Sequence, residues 1–308
     1  MPVGQAPSVG VVIATHNRPE LMRQALDSVL GQHHDGPIRV VLVFDRCEPE
    51  PDLARADPHR TVTVLTNQRT PGLAGARNTG ILALDTELIG FCDDDDVWLE
   101  GKLAAQVDRL AESPAAGFTT TAMRVRYGDR STVRQTGQRQ VSVRDLARSR
   151  MSMLHSSSFL FRRTAMLGAH GFGLVDETIQ RSMGEDWDLL LRAARQYPIE
   201  QVDEPLISVL WGQTSYFNDA WLDKNAAHQW LIEHHPEIRD DPPALGLMLG
   251  KLAFGHAAVS ERGEALRLAR RAGRVNWREP RTVLAVLVVL GVSPGWVTKQ
   301  LNKRGHGI

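Results

Sequence analysis

The sequence predicts an α/β protein with a mostly parallel sheet flanked by helices, followed by a helical C-terminal region. In the first third of the chain, four short apolar runs alternate with amphipathic stretches, as in sheets built from βα units. Polar residues follow each apolar run directly. From residue 219 onward the spacing of apolar residues is entirely helical. Together these observations predict a layered α/β domain over residues 1–242 and a basic helical region over residues 243–308.

The predicted strands are short and rich in Val, Ile, Leu and Thr. They comprise Val9–Ala14, Arg39–Phe44, Thr61–Thr66, Leu88–Cys92, Ser156–Phe161 and Pro205–Leu210. The predicted helices cover residues 19–32, 74–84, 99–111, 186–196, 219–234, 244–260, 262–273 and 280–290. Apolar residues are sparse between 124 and 150, which predicts an irregular excursion there. In open parallel sheets, ligands bind beyond the carboxyl ends of the strands, so the residues after each strand are the candidate site.

Composition excludes several classes of protein. The 308 residues include 36 Lys or Arg and 36 Asp or Glu, so net charge gives no reason to expect a nucleic-acid partner. Two cysteines are too few for a disulfide framework, and a cytoplasmic location is expected. The apolar run 283–292 is about half the length that spans a bilayer, so no transmembrane helix is expected.

The charge is unevenly distributed along the chain. Residues 244–308 contain 11 Lys or Arg against three Asp or Glu. Three interpretations fit this basic region: a solvated helical face, homodimer formation through residues 284–290, or peripheral contact with an anionic membrane surface.

Four consecutive carboxylates, Asp93 to Asp96, follow a predicted strand directly and precede Trp98. Like charges packed this closely are unfavourable unless a cation neutralises some of them. Mg²⁺ or Mn²⁺ would suit these oxygen ligands, and an acidic helix N-terminus is the alternative. Alternate residues of an extended segment point the same way, so Asp93 and Asp95 are expected to face the cleft, with Asp94 and Asp96 opposite.

A glycine-rich segment, residues 71–80, joins the third predicted strand to a helix. Gly72 and Gly75 allow close backbone approach, and Arg77 would suit a diphosphate through forked hydrogen bonds. Helix capping explains the glycines equally well. The segment is not the Gly-x-Gly-x-x-Gly pattern of dinucleotide sites, so a nicotinamide enzyme gains no support.

Five motifs occur in a fixed order along residues 8–215. They are Val-Val-Ile-Ala-Thr-His-Asn-Arg-Pro from Val11, Val-Phe-Asp ending at Asp45, Gly-Leu-Ala-Gly-Ala-Arg-Asn-Thr-Gly from Gly72, Phe-Cys-Asp-Asp-Asp-Asp-Val-Trp from Phe91 and Gly-Glu-Asp-Trp-Asp-Leu from Gly184. In these motifs, their order and their spacing, the chain resembles family 2 glycosyltransferases with the GT-A fold.

The resemblance implies a nucleotide-diphospho-sugar donor. Thr15 and Arg18 would line the nucleotide pocket, and Asp45 would accept a hydrogen bond from the base, commonly uracil in this family. Gly72 would let the backbone approach the donor, and Arg77 would meet its diphosphate. The residues after Asp45, Arg-Cys-Glu-Pro, depart from the small, acidic and serine-rich turn usual in the family.

The resemblance also implies roles for the acidic residues. Asp93 is similar to the first carboxylate of the Asp-x-Asp motif, near the ribose and the metal, and Asp95 to the second, which holds Mn²⁺ or Mg²⁺. Asp94 would belong to the same donor site. Asp186 resembles the general base that deprotonates the acceptor, and Glu185 is the rival for that role.

Three further residues are weaker candidates for sugar or acceptor contacts. Trp187 and Trp211 have flat rings that could cover a sugar, although Trp more often packs in a core or at its rim. His155 precedes a serine run, where a polar packing role is equally consistent. Acceptor specificity is expected to depend on residues 124–155 and 211–218, the least patterned parts of the catalytic region.

The expected function is inverting transfer of a sugar, with UDP-sugars favoured, to a hydroxyl acceptor in cell-envelope polysaccharide or glycolipid synthesis. The alternatives are glycosylation of a secondary metabolite or peptide, and a non-catalytic sugar-nucleotide binding module. A nucleotidyltransferase would need a glycine-rich basic loop after the first strand, where this chain has Thr-His-Asn-Arg.

Overall fold

The computed structural model describes residues 6–128, 130–211 and 220–303. The predicted acceptor-specificity residues 212–218 lie outside this range. Two compact units are present: residues 6–142, 151–177 and 185–211 form the sheet unit, and residues 143–150, 178–184 and 220–303 form the helical unit. The predicted domain boundary at residue 242 differs from this division and stays a prediction.

Three of the predicted strands are one residue longer in the structure, the strand predicted from Pro205 starts six residues earlier, and five further strands are present among the described residues. The strands are β1 Val9–Thr15, β2 Ile38–Phe44, β3 Arg55–Ala56, β4 Arg60–Thr66, β5 Leu88–Phe91, β6 Asp96–Trp98, β7 Phe118–Tyr127, β8 Arg130–Arg134, β9 Gln140–Val141, β10 Leu160–Arg162 and β11 Ile199–Leu210.

The helices agree with the periodicity, and α4, α5, α8 and α12 are additional to the predicted set. They are α1 Pro19–Leu30, α2 Leu73–Ala83, α3 Lys102–Glu112, α4 Val143–Arg148, α5 Arg163–Leu167, α6 Glu185–Gln196, α7 Trp221–His234, α8 Pro236–Arg239, α9 Pro242–Ala258, α10 Arg262–Val275, α11 Pro280–Val289 and α12 Pro294–Lys303.

Within the described residues the strands form one sheet in the order β3-β4-β2-β1-β5-β10-β7-β11-β6, with β8 on β7 and β9 on β11. The β4-β2-β1-β5 portion is parallel throughout, and its register starts with Val9 opposite Ile38 and Leu88. Strand β10 joins it antiparallel to both β5 and β7. The predicted α/β class with a mostly parallel central sheet is therefore confirmed.

Two local predictions are wrong. Residues 124–150 are not irregular, because β7 continues to Tyr127 and pairs antiparallel with β8, followed by β9 and α4. Most of their exposed side chains are polar, so the sequence shows little apolar density although the segment contains paired strands. The predicted strand Ser156–Phe161 begins instead as a buried 3₁₀ turn over Ser156–Ser158, and only β10 is extended.

Local backbone geometry explains why the glycine-rich segment starts a helix. Gly72 precedes α2 with φ of 123°, a conformation that side chains disfavour. A Cβ on Gly75 would lie 1.9 Å from the carbonyl oxygen of Thr70, so only glycine fits there. These two glycines let the loop after β4 fold tightly back onto the first turn of α2.

An aromatic cluster packs where β5, β7 and β10 are neighbours in the sheet. Its rings lie 5.0–6.4 Å apart between centroids, in tilted, edge-on or stacked pairs. The members are Phe91, Phe118, Phe159, Phe161 and Phe172. Because Phe91 is the last residue of β5, this packing determines where the acidic run after β5 starts.

Candidate functional site

Polar side chains gather where β1, β2, β4 and β5 end, as expected for the carboxyl edge of a parallel sheet. The hydroxyl of Thr15 donates to Asp94 Oδ2 at 2.9 Å, which connects the ends of β1 and β5. Asn67 Nδ2 donates to Asp45 Oδ1 at 2.8 Å, which connects the ends of β4 and β2. The structure thus brings together residues that are up to 79 positions apart.

The acidic run forms a tight turn, which corrects the expected alternation of its side chains. The amide of Asp96 donates to the carbonyl of Asp93 at 3.1 Å, closing the turn. Asp93 and Asp96 consequently approach one another, and their carboxylates lie within 4.8 Å of a ring nitrogen of His155. Asp94 and Asp95 instead both face Arg18, whose Nη1 lies 3.2 Å from Asp94 Oδ1 and 2.7 Å from Asp95 Oδ2.

A serine run supports this turn, and sequence reasoning missed its role. The hydroxyl of Ser157 accepts from the amide of Asp93 at 2.9 Å and donates to Asp96 Oδ2 at 2.5 Å. The hydroxyl of Ser156 donates to Asp93 Oδ2 at 2.8 Å. The 3₁₀ turn therefore holds both ends of the acidic turn, a role for which three successive serines are the only signal in the sequence.

His155 lies against the same turn, with Nδ1 3.2 Å from Asp96 Oδ2. Burial opposes its charged form, but Asp96 and then Asp93 raise the pKa of His155 to about 9. The imidazolium therefore offsets part of the negative charge at neutral pH. This placement favours a charge-pairing role over the predicted sugar or acceptor contact.

The donor set fits a divalent cation. Burial and the neighbouring carboxylates, Asp96 and Asp93 first, raise the pKa of Asp95 to about 6, which shows that negative charge is in excess here. Asp95 and Asp93 are partly exposed, whereas Asp96 is buried and already bonded to Ser157 and His155. Hard oxygen ligands of this kind suit Mg²⁺ or Mn²⁺. Asp93, Asp96 and His155 offer ligand atoms within 4.8 Å of one another, and coordination of an ion by Asp95 and Asp93 stays a prediction.

Arg77 is buried between two carboxylates. Its Nη2 lies 2.6 Å from Asp93 Oδ1 and its Nη1 2.9 Å from Glu185 Oε1. Its guanidinium also lies over the ring of Phe91, 5.2 Å from the centroid. The structure therefore uses Arg77 to join α2, the acidic turn and α6, and contact with a diphosphate stays a prediction.

The two acidic residues that begin α6 differ in their surroundings. Glu185 is buried, and burial together with the charge of Asp186 raises its pKa to about 8 despite the nearby Arg77. Asp186 is partly exposed, and its Oδ1 accepts from the amide of Trp187 at 2.7 Å. Asp186 is therefore less buried than Glu185, which pairs with Arg77.

Asp45 is more enclosed than the resemblance suggests. It is 5% exposed, and its carboxylate accepts from Asn67 Nδ2, from the amide of Gly72 and from Arg46 Nε. Burial opposes ionisation, but these hydrogen bonds lower the pKa of Asp45 below its ordinary value. The residue fixes the loop after β4, and contact with a nucleobase stays a prediction.

Glu177 is a second residue that sequence reasoning missed. Its carboxylate accepts from Asn78 Nδ2 at 2.7 Å, from the amide of Thr70 at 3.3 Å and from Arg69 Nε at 2.5 Å. Burial opposes the shift, yet these bonds lower the pKa of Glu177 to about 2. The carboxylate anchors the loop that carries Asn67.

The two tryptophans have different placements. Trp187 on α6 is only 2% exposed. Its ring packs in the protein interior and cannot offer a face to a sugar. Trp211 is 39% exposed, and the guanidinium of Arg134 lies 4.2 Å from its ring centroid. An exposed ring remains available at Trp211, and its contact with a sugar stays a prediction.

Comparison with known proteins identifies the family. The model of glycosyl transferase family 2 matches residues 10–167, just over half of the chain, and the chain belongs to this family. It is similar to the succinoglycan biosynthesis protein ExoO of Rhizobium meliloti, with 25% identity over 201 residues. The match covers 63% of this chain and 55% of ExoO, so the chain spans little more than half of that relative.

Two solved structures share the fold. TarS of S. aureus in complex with UDP-GlcNAc has a TM-score of 0.63 at 16% identity, covering 97% of this chain and 92% of TarS. The mannosyltransferase PcManGT from Pyrobaculum calidifontis, in complex with GDP-Man and Mn²⁺, has a TM-score of 0.54 at 19% identity, covering 94% and 88%. These neighbours confirm the predicted GT-A fold.

Replacing Arg77 by Met should lower the free energy of unfolding by about 3–5 kcal/mol, because it removes the charged partner of the buried Glu185 and of Asp93. Urea unfolding measures this loss. The control is Arg39→Met, which removes an exposed pair with Asp85 and should cost less than about 1 kcal/mol. Equal, small losses in both variants would contradict the structural role of Arg77.

Replacing Glu177 by Gln should remove a pH-dependent stabilisation. Because the pKa of Glu177 falls from the ordinary 4.5 to about 2 on folding, its ionised form stabilises the protein above pH 4.5. That stabilisation is lost as the pH falls toward 2. Wild type should exceed the variant by about 2–3 kcal/mol at pH 6, with more than half of the difference gone by pH 3. Urea unfolding at several pH values, with the exposed Glu112→Gln as control, tests this; a pH-independent difference would contradict it.

Proposed function

We propose that this protein transfers a sugar from a nucleoside-diphosphate donor to a hydroxyl acceptor with inversion at the anomeric carbon. The observation that carries the proposal is the junction formed by Arg77, which brings the acidic turn and the start of α6 to one edge of the sheet. The turn of Asp93–Asp96 and the partly exposed carboxylate of Asp186 belong to the same compact unit. Membership of glycosyl transferase family 2 supports the same activity.

The donor pocket would lie between the ends of β1 and β5. Arg18 is half-exposed and projects beside Asp95, so its remaining N–H groups can reach an anionic ligand. UDP-sugars are the favoured donors. The likeness in fold to TarS, solved with UDP-GlcNAc, supports that choice, and PcManGT, solved with GDP-Man, provides the competing donor class.

Asp93 and Asp95 would hold a divalent ion, Mn²⁺ or Mg²⁺, and a bound ion would neutralise charge on the diphosphate leaving group. The excess of carboxylates around Asp95 supports this assignment. Arg18 would add further positive charge on the same side of the turn. The protein thus supplies a preorganised environment for developing negative charge.

Asp186 would act as the general base. Its carboxylate would take the proton of the acceptor hydroxyl as the acceptor oxygen bonds to the anomeric carbon and the bond from that carbon to the diphosphate breaks. Attack opposite the leaving group inverts the anomeric centre. The exposure of Asp186 and the engagement of Glu185 by Arg77 support Asp186 over Glu185.

The acceptor would be a growing polysaccharide or a glycolipid of the cell envelope. Similarity to ExoO, a succinoglycan biosynthesis protein, supports a polysaccharide. A cytoplasmic location belongs to the same proposal, since nucleotide sugars would be available there.

The donor class and the metal are tested together by thermal unfolding with UDP-, GDP- and dTDP-sugars, each with Mn²⁺ or with EDTA. A UDP-sugar at one hundred times its Kd should raise the Tm by about 5 °C with Mn²⁺ and have no effect with EDTA. Asp95→Asn should lose this response, and the exposed Asp108→Asn should keep it. A response only to GDP-sugars would overturn the UDP assignment, a response in EDTA would overturn the metal, and no response would overturn the donor class.

Replacing Asp186 by Asn should lower turnover by about 10²–10⁴-fold, because the acceptor proton loses its base, while nucleotide affinity stays within about twofold. Release of the nucleoside diphosphate measures turnover, and Asp108→Asn is the matched control. Glu185→Gln distinguishes the rival. If that variant loses turnover with its fold intact while Asp186→Asn keeps it, Glu185 is the base.

A further inference from the structure

Helix α11 presents an apolar stripe to solvent. Val283, Leu287 and Leu290 recur at helical spacing and are 61%, 40% and 77% exposed. The opposite side of the helix carries the buried Ala285 and Val288. Apolar residues therefore lie on both the buried and the exposed sides of α11. Because such helices are normally buried, the exposed stripe indicates a binding surface.

Two tryptophans flank this stripe in sequence. Trp277 precedes α11 and is 80% exposed, and Trp296 on α12 is 58% exposed. The guanidinium of Arg278 lies 5.0 Å from the ring centroid of Trp277. Exposed tryptophan beside arginine is typical of residues at a membrane–water interface, where the ring enters the headgroup layer and the cation stays at its surface.

The neighbouring helix supplies uncompensated positive charge. Helix α10 packs against α11 and α9, and its buried side is formed by small and aliphatic residues. Five exposed arginines have no carboxylate partner among residues 6–128, 130–211 and 220–303, in contrast to Arg267, which pairs with Glu264. They are Arg262, Arg270, Arg271, Arg274 and Arg278.

We propose that the exposed residues of this helical region, namely the apolar stripe, the two tryptophans and the five arginines, together bind the surface of a bilayer containing anionic lipids. Apolar side chains would enter the boundary between headgroups and acyl chains, and the arginines would pair with lipid phosphates. None of the described helices has both the length and the apolarity to cross a bilayer, so the contact is interfacial. The proposal goes beyond sugar transfer and does not depend on it.

Charge favours a membrane over a second copy of this chain. A symmetric dimer places the same patch opposite itself, so the unpaired arginines of the two copies would be brought together. Like charges facing each other across an interface are strongly unfavourable. An anionic lipid surface offers the complementary charge and an apolar layer at the same time.

Vesicle flotation of the full chain tests the proposal. We expect the protein to float with vesicles of phosphatidylcholine containing 30% phosphatidylglycerol, and at least about tenfold less with pure phosphatidylcholine. High salt should weaken binding. Leu287→Ser with Leu290→Ser, and separately Arg270→Gln with Arg274→Gln, should each lower the vesicle partition coefficient by at least about tenfold.

The control is Leu82→Ser, a leucine on α2 in the sheet unit whose 52% exposure lies between those of Leu287 and Leu290, and this variant should bind as wild type does. Thermal unfolding verifies that each variant is folded, and because the substituted side chains are exposed, little change in Tm is expected. Equal binding to both vesicle types, or no loss in the stripe variants, would overturn the proposal. So would a dimer in sedimentation velocity that the stripe variants dissociate, without vesicle binding by wild type.

Discussion

The organisation of this site depends on one buried cation. Arg77 is 3% exposed and lies between Asp93 and Glu185, so a single guanidinium joins a helix that follows β4, a turn that follows β5 and the first residue of α6. Removing a charge from water is costly unless the partners are close and well oriented, and both contacts are within 2.9 Å. Arg77 pairs with both Asp93 and Glu185, so these two contacts fix the positions of α2, the acidic turn and α6 relative to one another.

The carboxylates near Arg77 differ in their burial and in their hydrogen-bond partners. Asp96 and Glu185 are buried and bonded to protein groups, whereas Asp95 and Asp186 remain partly exposed. A hydrogen bond from Ser157 and an ion pair with His155 hold Asp96, and this fixes the turn that presents Asp95. Neighbouring acidic residues with similar chemistry can therefore have different roles, since burial and partners determine which of them can meet a ligand.

The extent to which the sequence could predict this arrangement differs between fold and site. Alternating apolar and amphipathic segments identified β1, β2, β4 and β5 and most helices, because hydrophobic periodicity is a local property. The β7–β8 hairpin was missed because most of its exposed side chains are polar. The strand predicted at residues 156–161 was wrong because the amides of Ser158 and Phe159 donate to the carbonyls of His155 and Ser156 and close a 3₁₀ turn. Glu177 and Asn67 carry no motif, and their importance lies in contacts with distant residues.

By itself, the sequence determined the class of fold, the family resemblance and most of the acidic and basic residues that meet at the carboxyl edge. Only the tertiary structure decided which carboxylates are buried, which face Arg18 and which Arg77 engages, because these depend on groups brought together from distant parts of the chain. It also showed that the acidic run is a turn rather than an extended segment, since a backbone hydrogen bond from Asp96 to Asp93 closes it. Residue identity specifies which chemical groups are available. Packing specifies how far apart these groups lie, how buried they are and which charges they face.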